Sequence, residues 1–323
     1  MTKELVSVIT PVYNAAKYLK DFLRDIDSQT ACNFEWLLID DGSSDESWAI
    51  LTQWEAQRKG KPGRVHLIQQ SNQGVSAARN AGLKEAQGDF LIFGDSDDRL
   101  SPDFVAAYHH AIVANKTDLA FFNLRLVNPV GEVLGFKQNL PGKFNVKEAM
   151  GNILRQESGA FVVSYISRRS LWRDLEFNPN LSFLEDEELM LRLLTRAKET
   201  IFLPECHYDY VQHPTSRVNA AALADYQNGL AAVQAMAQTV AGMEDKHLDG
   251  WAQLRQLDLL LPLIVLTWRH KEDRQLNRAY RQDFLKAYRE AIIPAAARRR
   301  WQILAFIIVW RLKPVLLAWY RQV

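Results

Sequence analysis

Thiols are scarce in this chain: of 323 residues only Cys32 and Cys206 are cysteines, far apart and outside any C-x-x-C spacing. A disulfide framework and a cysteine-ligated redox or metal centre are thereby excluded, and a reducing compartment is expected. Long hydrophobic runs are missing too. The longest, Leu259–Trp268 (interrupted by Pro262) and Trp301–Trp310, fall short of the roughly 20 residues that cross a bilayer, so no transmembrane helix is expected. The start, Met-Thr-Lys-Glu, passes straight into Leu5–Thr10, too short and too early for the apolar core of a signal peptide, which makes a cytoplasmic location the expectation. Net charge is nearly absent, 39 Lys and Arg against 38 Asp and Glu, so no global attraction to a polyanion follows. Phosphate-cradling glycine motifs are lacking as well: neither G-x-G-x-x-G after the first strand nor G-x-x-x-x-G-K-[ST] occurs, and dinucleotide and P-loop sites are set aside.

With 48% apolar and 24% charged residues the composition is that of a folded globular protein. Short β-branched runs at Val6–Thr10, Trp36–Ile39, Val65–Gln69, Phe90–Phe93 and Leu119–Asn123 alternate with helical periodicity. One helical face reads Tyr18, Leu19, Phe22, Leu23, Ile26; Ser44 is expected to cap a helix through Trp54, and Ser101-Pro102 to open another. This order predicts an α/β fold, a mostly parallel sheet flanked by helices. Further on, a hairpin is expected around Pro129–Gly131, a helix at Val146–Arg155 and a strand at Phe161–Ser167, and from about Ala220 the chain reads as helix. Residues 1–219 are expected to form the catalytic domain, and 220–323 a helical C-terminal region.

Ligands of parallel α/β sheets sit at the carboxyl ends of the strands. Here those ends carry Thr10-Pro-Val-Tyr-Asn14, Asp40-Asp-Gly-Ser-Ser-Asp45 and Gly94-Asp-Ser-Asp-Asp98. Each segment alone reads equally well as a solvated turn. Together they bring Asp40, Asp41, Asp95, Asp97 and Asp98 to one cleft, where like charges need a cation or ligand donors to coexist. With no glycine-rich loop to hold phosphates, a metal is expected to do so. Asp95-Ser-Asp97 offers oxygens two residues apart, suited to Mg²⁺ or Mn²⁺ shared with a diphosphate.

These segments, with Asn72-Gln-Gly-Val-Ser-Ala-Ala-Arg-Asn-Ala-Gly82, resemble in order and spacing the nucleotide-sugar motifs of family 2 inverting glycosyltransferases, over roughly residues 5–215. The resemblance implies the GT-A fold and a nucleoside diphosphate sugar donor, most plainly a UDP-sugar. It implies that Pro11, Tyr13 and Asp41 line the nucleobase pocket, that Arg79 approaches the diphosphate or donor sugar, that Asp95 contacts ribose or sugar, and that Asp97 binds the metal. His213, in Tyr208–Arg217, matches the closing segment from which a basic side chain reaches metal and diphosphate; on position alone it is an ordinary loop histidine. Glu185-Asp186 matches the catalytic-base motif and makes Asp186 the candidate. Where the family often continues with an aromatic residue this chain has Glu187 and Glu188, so the neighbouring carboxylates stay in contention; acids in a first helical turn also suit the helix dipole. Trp36 and Trp172 are read as core.

Residues 269–323 carry an excess of nine positive charges, against an excess of eight negative over 1–268. Leu285, Tyr288, Ile292 and Ile293 share a helical face, and Arg298-Arg-Arg-Trp301 leads into an apolar stretch ending at Trp310. Arginine beside Trp-flanked apolar residues suits an anionic membrane surface; a terminal helix packed on the core is the alternative. Arg298–Trp301 is similar to the Q-x-x-R-W element of processive synthases but lacks its glutamine. The expectation is a metal-dependent hexosyltransferase, peripheral at the inner face of the plasma membrane, acting on a lipid-linked glycan or lipopolysaccharide acceptor, without nucleic acid. The alternatives are a sugar-nucleotide nucleotidyltransferase, which would want a glycine-rich and basic loop that Thr10–Lys17 lacks, and a non-catalytic sugar-nucleotide-binding relative.

Overall fold

The computed structural model describes residues 4–213, 222–269 and 274–293, together with Trp301, Leu304, Ala305 and Ile308. The first half runs β1 (Val6–Val12), α1 (Ala16–Asp27), β2 (Phe34–Asp41), α2 (Ser47–Gln57), β3 (Arg64–Gln70), α3 (Val75–Glu85) and β4 (Phe90–Phe93). These four strands pair in parallel in the order β3-β2-β1-β4. Helices cover both faces, which is why every residue of β2 is buried.

The sheet then continues with mixed strands: β5 (Arg99–Leu100), β6 (Leu119–Val127), β7 (Val133–Lys137), β8 (Gly142–Asn145), β9 (Tyr165–Arg168) and β10 (Glu199–Val211). Its full order is β3-β2-β1-β4-β9-β6-β10-β5, with β7 at the side of β6 and β8 at the side of β10. Helices α4 (Phe104–Asn115), α5 (Val146–Leu154) and α6 (Glu185–Leu194) interleave. The fold is the expected α/β, parallel where the strand-end motifs lie.

Three local expectations are corrected. Ser44 does not cap α2: its N–H and hydroxyl both turn to Asn14 Oδ1, and the helix begins at Ser47, whose N–H donates to Asp45 Oδ1 at 2.9 Å. Ser101 does not cap α4; its hydroxyl donates to Asp103 Oδ1 at 2.6 Å, and the helix starts at Phe104. Residues Val162–Ser164 form a 3₁₀ turn, so the strand expected from Phe161 begins at Tyr165.

The boundary drawn at 219/220 lies outside the described residues. Beyond it come α7 (Leu223–Ala241), α8 (Lys246–Arg269) and α9 (Arg274–Glu290). Ala232, Val233, Met236, Val240, Leu248, Ala252 and Leu259 of α7 and α8 belong to the same apolar core as the sheet. A second core joins the rest of α8 to α9, Trp301, Leu304, Ala305 and Ile308. Trp36 and Trp172 are buried as expected.

Candidate active site

Two short-range devices shape the strand ends. Asn14 takes a left-handed conformation (φ 49°), which lets its Oδ1 accept from Ser44 N at 2.8 Å and Asp45 N at 3.3 Å and tie the end of β1 to the loop after β2. Gly42 (φ 70°) leaves no room for a side chain, since a Cβ would stand 2.7 Å from Asn72 N. Gly82 permits α3 to press onto the sheet, where a Cβ would meet Ile9 Cγ2 at 2.5 Å. The Asn72–Gly82 motif is therefore as much scaffold as site. Asn80 exchanges hydrogen bonds with Phe177 O (2.9 Å) and Phe177 N (2.8 Å) and so anchors the segment that leads to α6.

Of the five aspartates gathered at the cleft, three are engaged by donors of the protein itself. Asp41 accepts from Gln70 Nε2 at 2.8 Å, Gln73 N at 2.9 Å and Gly74 N at 2.8 Å. Asp98 accepts from the Tyr208 hydroxyl at 2.7 Å and Val211 N at 2.8 Å, a latch that holds β10 against the cleft; burial first, then Asp97 and Asp95, push its pKa well up. Asp95 pairs with Arg79 at 3.0 Å. Asp40 keeps one oxygen, Oδ1, buried with no hydrogen-bond partner among the described residues. Asp97 is 45% exposed and looks to His213, whose Nε2 is 3.9 Å from its Oδ2 and 3.4 Å from its main-chain oxygen. Burial foremost, and Asp95 next, raise the Asp97 carboxyl, which His213 lowers. Pro11 is half-buried and Tyr13, at 52%, is exposed at the rim.

Arg79 is the hinge of the site. Buried on α3, it donates to Asp95 on one side and to Glu185 Oε1 at 3.2 Å on the other. Burial works to discharge it, but Asp95 and Glu185 outweigh burial and raise its pKa. The first turn of α6 then shows a consistent division. Glu185 is held by Arg79, Glu187 by Arg255 of α8 through two contacts of 2.8 Å, and Glu188 by Arg192 through two of 2.7 Å. Asp186 has no such partner: its Oδ1 accepts from Glu187 N at 2.8 Å, and it lines a cavity of about 230 Å³. Burial, then Glu185 and Glu187, push its pKa up to about 7. A carboxylate poised there can take a proton near neutrality.

Sequence reasoning missed several residues. Tyr165 of β9 is fully buried, its hydroxyl has no hydrogen-bond partner among the described residues, and the charges of Asp186 and Arg79 both act on it. Burial and then Asp186 raise its pKa, so it remains a donor. Asn228 of α7 accepts from Ser182 N at 2.7 Å and Phe183 N at 3.0 Å, and with Arg255 it fastens the acid-bearing segment to the C-terminal helices. An Arg or Asn on an amphipathic helix gives no sequence signal of a partner some 40 to 70 residues away.

Asp97 and His213 fit a metal shared with a ligand. The described residues contain no group of three or more His, Cys, Asp or Glu able to hold an ion unaided, but Mg²⁺-type sites rest on one or two carboxylates completed by water and substrate phosphates.

The model of the family described as "Glycosyl transferase family 2" matches residues 7–169. Among curated proteins the chain is 37% identical over 123 residues to glycosyltransferase GlyA of Streptococcus pneumoniae, a match that covers 38% of this chain and 17% of that protein. It is 29% identical over 219 residues to glycosyltransferase GlyG of the same organism, covering 64% of this chain and 70% of that one. Among solved structures, TarS 1–349 of S. aureus in complex with UDP-GlcNAc aligns over 98% of this chain and 91% of its own, at TM-score 0.71 and 19% identity.

Proposed function

Since the chain belongs to glycosyltransferase family 2, we propose that it is an inverting, metal-dependent hexosyltransferase that takes its sugar from a nucleoside diphosphate donor, UDP-linked, with Asp186 as general base. One observation carries this reading. Of four consecutive acids at the start of α6, three are bound by arginines and the fourth, Asp186, faces a cavity with its pKa raised to about 7.

In the reading, the donor lies across the carboxyl ends of β1, β2 and β4. Pro11 and Tyr13 border the base, and either Asp41 or the unsatisfied Asp40 Oδ1 accepts its N–H; three of the four or so acceptor positions of Asp41 are already filled. Asp95 and Arg79 hold the ribose and sugar side. Asp97 and His213 would hold Mn²⁺ or Mg²⁺, which when bound offsets the charge of the departing diphosphate. The acceptor hydroxyl approaches the anomeric carbon from the face opposite the diphosphate, and Asp186 removes its proton as the new bond forms.

The acceptor proposed is a hydroxyl of a lipid-linked glycan or lipopolysaccharide, reached at the inner face of the plasma membrane. No helix among the described residues is long and apolar enough to cross a membrane. The basic excess over residues 269–323 supports contact with an anionic surface. Arg298–Arg300 lie outside the described residues, whereas Trp301, Leu304, Ala305 and Ile308 are buried in the second core and so serve the protein interior. The test is a screen of UDP-, GDP- and dTDP-sugars for thermal stabilisation with and without Mn²⁺, followed by donor turnover. Stabilisation by UDP-sugars only with metal is expected; tight binding with no turnover in any acceptor extract would favour the non-catalytic relative.

A further inference from the structure

Trp251, Arg255 and Asp258 stand on α8 at the spacing i, i+4, i+7 of one helical stripe. Such a stripe on a packed helix is ordinarily apolar. This one carries a buried guanidinium and a carboxylate, and all three side chains reach the segments that wall the cavity of Asp186. Trp251 presses on α5, where Gly151 leaves room for it: a Cβ there would stand 2.5 Å from the Trp251 Cζ3. The Arg155 guanidinium lies 4.0 Å from the centre of the same ring. Asp258 accepts from Gln156 Nε2 at 2.8 Å, just past the end of α5. Arg255, only 9% exposed, grips Glu187 at the start of α6 with two nitrogens at 2.8 Å each, while its third stands 3.9 Å from Asp258.

The two segments held in this way carry unusual backbone. Gln156 (φ 59°) and Leu184 (φ 62°) are left-handed without being glycine, and both line the cavity together with Asp186, Glu187 and Arg255. Conformations of that kind persist where the surroundings over-determine them. Leu184 immediately precedes the four acids, so its turn sets the direction in which α6 departs. The three arginines that hold those acids differ in origin. Arg192 belongs to α6 itself and Arg79 to the donor side of the cleft, whereas Arg255 comes from a helix far beyond the nucleotide-sugar motifs.

We propose that Arg255 is a positioning residue of the active site: by clamping Glu187 it fixes the first turn of α6 with Asp186 toward the cavity, and it offsets the Glu187 charge where Asp186 would otherwise feel it. The proton-accepting role of Asp186 rests on the glycosyltransferase reading; the clamp rests on the geometry of α8. The groups that act on Asp186 are Glu185 and Glu187 of its own helix, Arg79 of α3, Arg255 of α8, Tyr165 of β9 and Tyr210 of β10, and Lys137 lines the same cavity. Among them Glu187 and Arg255 form one compensated pair. Removing the acid alone should therefore displace the proton affinity of Asp186, and removing both charges should restore it. A side chain that serves packing alone gives no such pattern.

The test uses the full chain with its aspartates labelled by ¹³C at Cγ and follows proton binding at Asp186 by NMR, the signal being assigned by its absence from Asp186→Asn. In Glu187→Gln the Arg255 cation acts on Asp186 without its counter-charge, and the proton should bind about tenfold more weakly than in the wild type. In Glu187→Gln/Arg255→Met, affinity should return to within about threefold of the wild type. The proposal is overturned if Glu187→Gln titrates as the wild type does, or if the double variant follows Glu187→Gln. The geometric half is read from turnover at pH 8, above the Asp186 midpoint. Lysine keeps the cation but not the two-pronged grip, so Arg255→Lys should lower kcat about tenfold or more with UDP affinity retained, using the UDP-sugar that most stabilises the wild type. Full kcat in Arg255→Lys also overturns the proposal. A wild type that neither binds UDP nor turns over a UDP-sugar would overturn the glycosyltransferase reading, and the NMR titration would then decide the clamp by itself.

Discussion

The acids at 95–98 and those at 185–188 are two answers to one electrostatic problem, and they meet at Arg79. In the first, Asp95 is paired with Arg79 and Asp98 is hydrogen-bonded by Tyr208 and Val211, leaving Asp97 beside His213. In the second, arginines neutralise Glu185, Glu187 and Glu188 and leave Asp186 facing a cavity. The leftover acids differ in their neighbours: Asp97 stands beside His213, which lowers its carboxyl, whereas Asp186 stands between Glu185 and Glu187, which raise it further. A carboxylate beside an imidazole can share a divalent ion with a substrate diphosphate, whereas one flanked by like charges has its pKa lifted toward neutrality and can act as a base. The paired acids are what make the unpaired one legible in each cluster.

The sharpest test of this contrast is exchange of the unpaired acid in the second cluster. Asp186→Asn keeps the shape and the hydrogen bond from Glu187 N but cannot accept the proton. Turnover should fall by about 10²–10⁴ with UDP affinity retained. In the wild type, kcat/KM should fall below pH 7 as Asp186 becomes protonated, since its carboxyl is raised to about 7. Full activity at pH 5.5, or loss of activity in Glu187→Gln together with an active Asp186→Asn, would move the role to a neighbour.

A comparable exchange in the first cluster should separate binding from chemistry. Asp97→Asn removes an anionic ligand, so UDP binding should lose its dependence on Mn²⁺ and weaken to the level seen in the wild type with EDTA. Calorimetric titrations with and without chelator measure this, and unaltered metal dependence in the variant would place the ion elsewhere.

How far these roles could be read beforehand follows from range. Positions at the ends of β1, β2 and β4 were legible because parallel α/β topology puts strand termini together, and Asp97 with His213, 116 residues apart, came out adjacent. What spacing alone could not show is which acid is spare; only the family resemblance pointed to Asp97 and Asp186, with the neighbouring carboxylates left in contention. Which acid is spare depends on Tyr208, Arg255 and Asn228, contributed by β10, α8 and α7, and nothing in local spacing announces a buried bidentate pair. The same limit explains the caps of α2 and α4, where Ser44 is drawn to Asn14 and Ser101 gives its hydroxyl to Asp103 while its N–H donates to His207 O. The C-terminal helices read as a separate region because their apolar stripes are continuous, yet part of those stripes completes the core of the sheet.

The bridge between the clusters should itself be costly to remove. Arg79→Met leaves Asp95 and Glu185 without their cation in a largely buried setting, and breaking buried pairs in this way typically costs about 3–5 kcal/mol. Urea unfolding of wild type and variant at pH 7.5 measures it. A cost below about 1 kcal/mol would mean that the two clusters are held apart by the backbone and that Arg79 serves the ligand alone.

The smallest effect is the most discriminating, because it separates a tuned acid from a merely buried one. The carboxyl of Asp186 is raised to about 7 from an ordinary value of 3.8, chiefly by burial. The folded protein therefore binds more protons than the unfolded chain between about pH 4 and 7, and its stability falls as pH rises through that interval. Above pH 7 the native state carries the full cost of an ionised Asp186. Asp186→Asn abolishes that cost without opening a cavity. The variant should match the wild type in melting temperature near pH 4.5 and exceed it by about a few degrees at pH 8, gaining stability as it loses turnover. Asp97→Asn, where His213 offsets part of the burial, should show a smaller gain. Equal pH profiles for wild type and Asp186→Asn would show that Asp186 is not raised by its surroundings, and the division between a metal ligand and a proton acceptor would fall.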